Sequence, residues 1–105
     1  MSEKSELDTD KRVWHPSPLA GQIVLVTTVD ENGDENVAPK SWVSMFAFEP
    51  PILGFGCNIE HQTAKNVFAT GEFTVNVPHH ALAEKIWGAA DLPHPRRVRD
   101  LGLTP

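Results

Sequence analysis

The run Gln22 to Val29 (QIVLVTTV), closed by the pair Asn32-Gly33, constrains this chain more than any other feature. β-Branched residues dominate it, and they pack well on a pleated surface while losing rotamer freedom in a helix. It runs into Asp30-Glu31-Asn32-Gly33-Asp34-Glu35. Asn-Gly between β-type segments signals a hairpin, because both residues tolerate positive φ. The acidic residues around that pair lack the ordered ligand spacing of a calcium loop, so the stretch reads as a solvated hairpin tip.

Prolines and glycines then divide the chain. Asn36 to Ala38 is the return strand, and Pro39 confines it to a sheet edge or a bulge. Val43 to Phe48 resumes an extended apolar run, Glu49-Pro50-Pro51 breaks it, and Ile52 to Cys57 forms another short strand. Its glycines, Gly54 and Gly56, mark a place where something approaches the backbone closely. Gln62 to Ala69 is predicted as a short helix, with Val67 and Phe68 as apolar contacts and Gly71 as its stop. Glu72 to Val77 alternates with period two and reads as a strand with one buried face. After Pro78, residues 79–87 fit a helix with Leu82 and Ile86 facing inward and Trp87 as a further inward candidate. From Gly88 onward the Pro-rich tail is expected to be irregular. Nine prolines in 105 residues favour turns and short strands over long helices. The expected fold is mainly β, a small antiparallel barrel or part of one, with short helices.

Composition narrows the function classes. A formal net charge of −5 offers no general attraction to nucleic acid or to anionic membranes. A single cysteine, Cys57, excludes an intramolecular disulfide, and no apolar run approaches the ~20 residues of a membrane helix. The segment Met1 to Lys11 has no apolar core like that of a signal peptide, so a cytoplasmic location is expected. Residues 1–12 read as a flexible leader, Trp14 as the anchor that ties it to the core, and residues 13–105 as one domain.

Two segments carry chemistry. Thr63, Lys65 and Asn66 stand at a helix start, where unpaired N–H groups and the positive end of the helix dipole suit a phosphate. The alternative is that Gln62 or Thr63 caps the helix and Lys65 is solvated. The second segment is Pro39-Lys40-Ser41-Trp42-Val43-Ser44, whose hydroxyls and N–H groups beside an aromatic suit a planar ligand. Its alternative is a strand with Trp42 in the core and the serines facing water. His79 and His80 are adjacent and so point apart, and with His61 and His94 they lack the close ligand spacing of zinc sites. Cys57 reads as a small buried hydrophobe, and Arg96, Arg97 and Arg99 as a solvated loop, with a dinucleotide phosphate or a partner's acids as the alternative for the arginines.

Taken in order, Leu25-Val-Thr-Thr-Val-Asp, Asn-Gly, Asn36-Val-Ala-Pro-Lys-Ser-Trp42, Glu49-Pro-Pro-Ile-Leu-Gly-Phe55, Gln62-Thr-Ala-Lys-Asn66 and Thr70-Gly-Glu-Phe-Thr-Val-Asn76 resemble the flavin reductase-like, FMN-binding split-barrel family, which includes flavoredoxin. The resemblance covers about residues 18 to 105. It implies the N-terminal portion of an antiparallel split barrel that binds FMN non-covalently as a homodimer. It also implies an oxidoreductase that moves hydride from NADH or NADPH to the flavin. The resemblance lays segment 39–44 along the isoalloxazine ring, with Lys40, Ser41 and Trp42 as the matching positions beside Pro39, Val43 and Ser44. It makes Cys57, Asn58, Thr63, Lys65 and Asn66 the ribityl and phosphate contacts. No side chain stands out as a general acid or base, which suits chemistry carried by the cofactor. The passage Asp100-Leu-Gly-Leu-Thr-Pro105 resembles a mid-domain stretch after which family members continue into further strands, so a domain truncated at its C-terminal end is expected. A non-catalytic flavin binder or electron carrier, and a remnant without ligand, are the other readings.

Overall fold

A computed structural model describes residues 21–89 and 95–102. The expected leader at 1–12, the Trp14 anchor and His94 lie outside the described residues.

The β-branched run becomes strand β1, Val24–Val29, and returns as β2, Glu35–Lys40. The two pair antiparallel from Val29 opposite Glu35 to Val24 opposite Lys40. The tip is a tighter device than a pair of positive-φ residues. Only Gly33 is left-handed, at φ 83°, and its N–H donates to the Asp30 carbonyl at 3.0 Å. The Asp30 carboxylate accepts from the N–H groups of Asn32 (2.8 Å) and Asp34 (2.9 Å). Asp30 thus organises the turn instead of only solvating it. Strand β3, Val43–Ala47, pairs antiparallel with β4, Ile52–Phe55, in a separate two-stranded ribbon bulged between Met45 and Ala47. The Glu49–Pro50 bond at its turn is cis. What approaches Gly54 is the Phe46 ring, which occupies the place a Cβ would take. Gly56 lies against Trp42 and donates its N–H to the Trp42 carbonyl at 2.8 Å. Strand β5, Thr74–Asn76, joins the free side of β1, giving the order β2-β1-β5. Pro39 therefore sits on an edge strand, where its missing N–H leaves no gap in a ladder.

Helix α1, Gln62–Thr70, stops at Gly71, whose φ of 77° and N–H to Val67 carbonyl contact (2.8 Å) form a left-handed cap. It packs on β1 and β2 through an unexpected face. Thr63, Ala64 and Asn66 are buried, whereas Phe68 is 78% exposed. The expectation that Phe68 is an apolar contact is corrected by this geometry. The helix is held by side-chain hydrogen bonds, Asn36 Nδ2 to Thr63 Oγ1 at 3.2 Å and Asn66 Nδ2 to Thr28 Oγ1 at 2.9 Å.

A 3₁₀ turn, His80–Leu82, leads into helix α2, Ala83–Ala89, which packs on β2. Leu82 and Ile86 are half-buried as expected, but Trp87 is 81% exposed and is not an inward residue. The tail also departs from expectation, because Val98–Leu101 forms a 3₁₀ turn that inserts Leu101 beside Leu25 and Val37. Glu35 makes this possible. Its carbonyl accepts from the Arg96 N–H and its Oε2 from the Val98 N–H, each at 2.9 Å. The Arg97–Asp34 pair nearby, at 3.9 Å and half exposed, contributes about 0–1 kcal/mol.

The core is accordingly thin. On one side of the three-stranded sheet an open groove of about 790 Å³ runs past Leu25, Val37, Phe73, Val77, Leu82 and Val98. The architecture is mainly β, antiparallel and open, with short helices. Among the described residues no helix is long and apolar enough to cross a membrane.

Candidate functional site

The site forms where β2 ends beside the start of α1. Hairpin register carries Asn36, Ala38, Pro39 and Lys40 along the outer edge of the sheet, and the loop after β4 brings the chain back to begin α1 next to them. Asn36, Lys40, His61, Gln62, Thr63 and Arg96 line a cleft of about 200 Å³ there, together with Ala38 and Pro39. No carboxylate lines it among the described residues.

The helix start has an open donor set. His61 is the N-cap residue, in extended conformation, and its side chain makes no capping hydrogen bond. The first turn of α1 contains no acidic residue. The simple capping role considered for Gln62 or Thr63 is thus not what these side chains do. Gln62 Nε2 donates to Asn66 Oδ1 at 2.7 Å, and Thr63 accepts from Asn36. The amides at the start of α1 and the helix dipole make this end of the cleft electropositive, and Lys40 lines the same cleft. Asn36, only 1% exposed, adds a further polar atom, since its Oδ1 has no hydrogen-bond partner. A buried acceptor of this kind is satisfied by a ligand hydroxyl. Turning the amide over presents Nδ2 instead, while the Thr63 hydroxyl donates to Oδ1.

The residues singled out in the sequence divide into four groups. Pro39, Lys40 and Thr63 meet in the cleft. Ser41, Trp42, Val43 and Ser44 continue from it into β3, with Trp42 60% exposed, so Trp42 is not a core residue. Cys57 and Asn58 follow β4 and do not line the cleft. Lys40 Nζ reaches Cys57 Sγ at 3.3 Å, while the thiol donates to the Asn58 carbonyl at 3.4 Å. Cys57 is therefore half-buried in a polar contact and does not behave as a small buried hydrophobe. Asn58 Oδ1 is engaged by the Glu60 N–H at 2.9 Å. Lys65 is exposed on α1 and Asn66 is buried against Thr28; neither lines the cleft. Sequence reasoning missed Asn36, and it grouped Arg96 with Arg97 and Arg99 as a solvated loop, with a phosphate only as the alternative, whereas Arg96 is half-buried in the cleft wall. Asn36 falls in a strand, where a polar residue ordinarily faces water, and Arg96 belongs to a segment without periodicity.

These residues suit a phosphate ester with a polyol arm and a flat ring. Amides and a lysine are suited to an anion, Asn36 to a hydroxyl, and the exposed Trp42 segment to a planar ring. The cleft alone is smaller than the ~300–1,000 Å³ that encloses a drug-sized ligand, so it has room for only one end of such a molecule.

Comparison with known proteins follows the same outline. Residues 17–99 match the family model of the flavin reductase like domain. Over 77 residues the chain is 30% identical to an uncharacterized protein of Pyrococcus abyssi, covering 72% of this chain and 45% of that one. Its fold superposes on flavoredoxin of Desulfovibrio vulgaris (Miyazaki F) with a TM-score of 0.77 and 21% identity, over 98% of this chain and 55% of the other. A split-barrel protein of Shewanella frigidimarina designated a flavin reductase gives a TM-score of 0.75 and 20% identity, over 95% and 58%. The chain spans about half the length of the proteins it matches. The open sheet and its groove correspond to a split barrel present in part. With its family model matched over residues 17–99, this chain belongs to the flavin reductase-like family.

Proposed function

We propose that the protein binds FMN, with the phosphate at the start of α1 and the ring along Ser41 to Ser44, and acts as an NAD(P)H-dependent flavin oxidoreductase in the cytoplasm. The observation that carries this reading is the pairing of an α1 start without a side-chain cap with Lys40 across a cleft that no carboxylate lines among the described residues. Lys40 and the first-turn amides hold the anion, while the Trp42 segment positions the ring. Bound flavin would supply the hydride chemistry, which explains why no general acid or base is needed here. Thr63 and Asn66 contribute mainly by fixing α1 to the sheet, through their bonds to Asn36 and Thr28. Cys57 and Asn58 border the same ligand through Lys40.

A homodimer belongs to the same reading. The β3–β4 ribbon exposes Met45 (56%), Phe46 (68%) and Ile52 (45%), and Phe48 at its turn is 95% exposed. Apolar area of that kind is ordinarily covered by a partner. One observation favours the alternative of a non-catalytic flavin carrier. Trp42 is 60% exposed, so the surface it offers a ring lies open to solvent.

Flavin-fluorescence titration with FMN, followed by NADH and NADPH oxidation with FMN present, tests the proposal. Saturable binding with turnover supports the reductase, and binding without turnover on either nicotinamide leaves the carrier. A folded protein that quenches no FMN fluorescence overturns both.

A further inference from the structure

We infer that Arg96 is the residue that selects FMN over riboflavin, a role that rests on the flavin reading above and assigns its phosphate a second cation. The argument begins at Glu35, the first residue of β2. Its carbonyl and its carboxylate take the N–H groups of Arg96 and Val98, both at 2.9 Å, across more than 60 residues of sequence. Two bonds from one residue fix the path of the 96–98 segment along the edge strand. Leu101, buried beside Leu25 and Val37, pins the far end of the same segment into the core. Arg96 is thereby placed, half-buried, in the wall of the cleft that also holds Lys40, Thr63 and the start of α1. Its neighbours Arg97 and Arg99 are exposed and do not line the cleft.

The second sign of a ligand is Asn36. It is 1% exposed, lines the same cleft, and its Oδ1 lacks a partner. A buried polar atom without a partner carries a desolvation cost that a ligand group can remove. FMN and riboflavin share the ring and the ribityl chain and differ only in the terminal phosphate. A guanidinium forms two parallel N–H to oxygen bonds with a phosphate, whereas a terminal hydroxyl offers it only a weak neutral acceptor. Arg96 thus discriminates by charge and geometry, and Glu35 acts as its positioning residue.

The test compares FMN with riboflavin, by fluorescence titration, on the wild-type protein, Arg96→Ala, Arg96→Lys, Arg99→Ala and Glu35→Ala, each checked for native circular dichroism. Arg96→Ala is expected to weaken FMN about tenfold or more while moving riboflavin less than about twofold. Arg96→Lys should recover part of the loss, because it keeps the charge but not the planar fork. Arg99→Ala should match wild type, and Glu35→Ala should narrow the FMN-to-riboflavin ratio. Unchanged FMN affinity in Arg96→Ala, or an equal loss for both flavins, overturns the role of Arg96 and leaves the flavin reading standing. A wild-type protein that binds neither flavin overturns the flavin reading itself, and the inference with it.

Discussion

Asn36 Nδ2 donates to the Thr63 hydroxyl at 3.2 Å, a buried bond joining strand β2 to helix α1 across 27 residues of sequence. Both residues are 1% exposed, so α1 is seated on the sheet by a polar contact where most helices use an apolar stripe. The same bond sets how the uncapped helix start faces Lys40. In the proposed site, stability and ligand binding would therefore be coupled at one pair of side chains.

Breaking that pair should show in a double-mutant cycle. Asn36→Ala and Thr63→Ala are each expected to cost about 1–3 kcal/mol, with a coupling of about 0.5–1.5 kcal/mol when combined. Urea unfolding reads the result as a lowered midpoint at unchanged slope. Strict additivity of the two losses would contradict a direct bond.

Lys40 and Lys65 separate two placements of an anion. Lys40 lines the cleft, whereas Lys65 is exposed on α1 outside it. Lys40→Ala is expected to weaken FMN by about tenfold and Lys65→Ala by less than about threefold, in fluorescence titration at fixed salt. The reverse order would move the phosphate off the cleft.

Leu101 supports the core from a tail that shows no helical or strand pattern. It is 9% exposed and packs with Leu25 and Val37. Leu101→Ala should lower stability by about 2–4 kcal/mol, enough to unfold much of a thin-cored protein. Thermal unfolding followed by circular dichroism measures it, and a loss within error would mean that the tail is not docked.

Gly71 ends α1 at φ 77°, in the left-handed region. Gly71→Ala is expected to cost about 1 kcal/mol through backbone strain alone, since nothing lies within 4 Å of the added methyl. Chemical denaturation should report that loss with FMN affinity unchanged.

The β3–β4 ribbon should govern assembly. Replacing Met45 and Phe46 together by serine removes two exposed apolar side chains from it. Sedimentation analysis is expected to show the wild type as a dimer and the variant shifted towards monomer. A wild type that sediments as a monomer at all concentrations would remove the homodimer from the proposal.

How much of this was legible in the chain differs by level. Element positions followed from local chemistry. β-Branched residues marked β1, Pro39 marked an edge, Glu49-Pro50-Pro51 marked a reversal and Gly71 marked a helix stop, each close to where the structure has it. Lys40, Thr63 and the start of α1 were found as site candidates because helix starts and small polar residues beside turns have a direct physical meaning. The exposed Phe68 and Trp87 were misplaced because apolar spacing indicates which residues want cover, not which obtain it in an open sheet. Asn36 left no local mark, and nothing local separated Arg96 from its neighbours Arg97 and Arg99.

Legible in the chain alone were the strands, the turns, the bounds of α1 and a family likeness, but not the bounds of α2 or the 3₁₀ turn at Val98–Leu101. The legible features depend on backbone preferences and side-chain shapes that act within a few residues. Tertiary structure alone decided that Asn36 meets Thr63, that Glu35 holds the 96–98 segment and that Arg96 joins Lys40 in one cleft. Such contacts join residues 27 to 63 positions apart, and only the path of the folded chain brings them within hydrogen-bond distance.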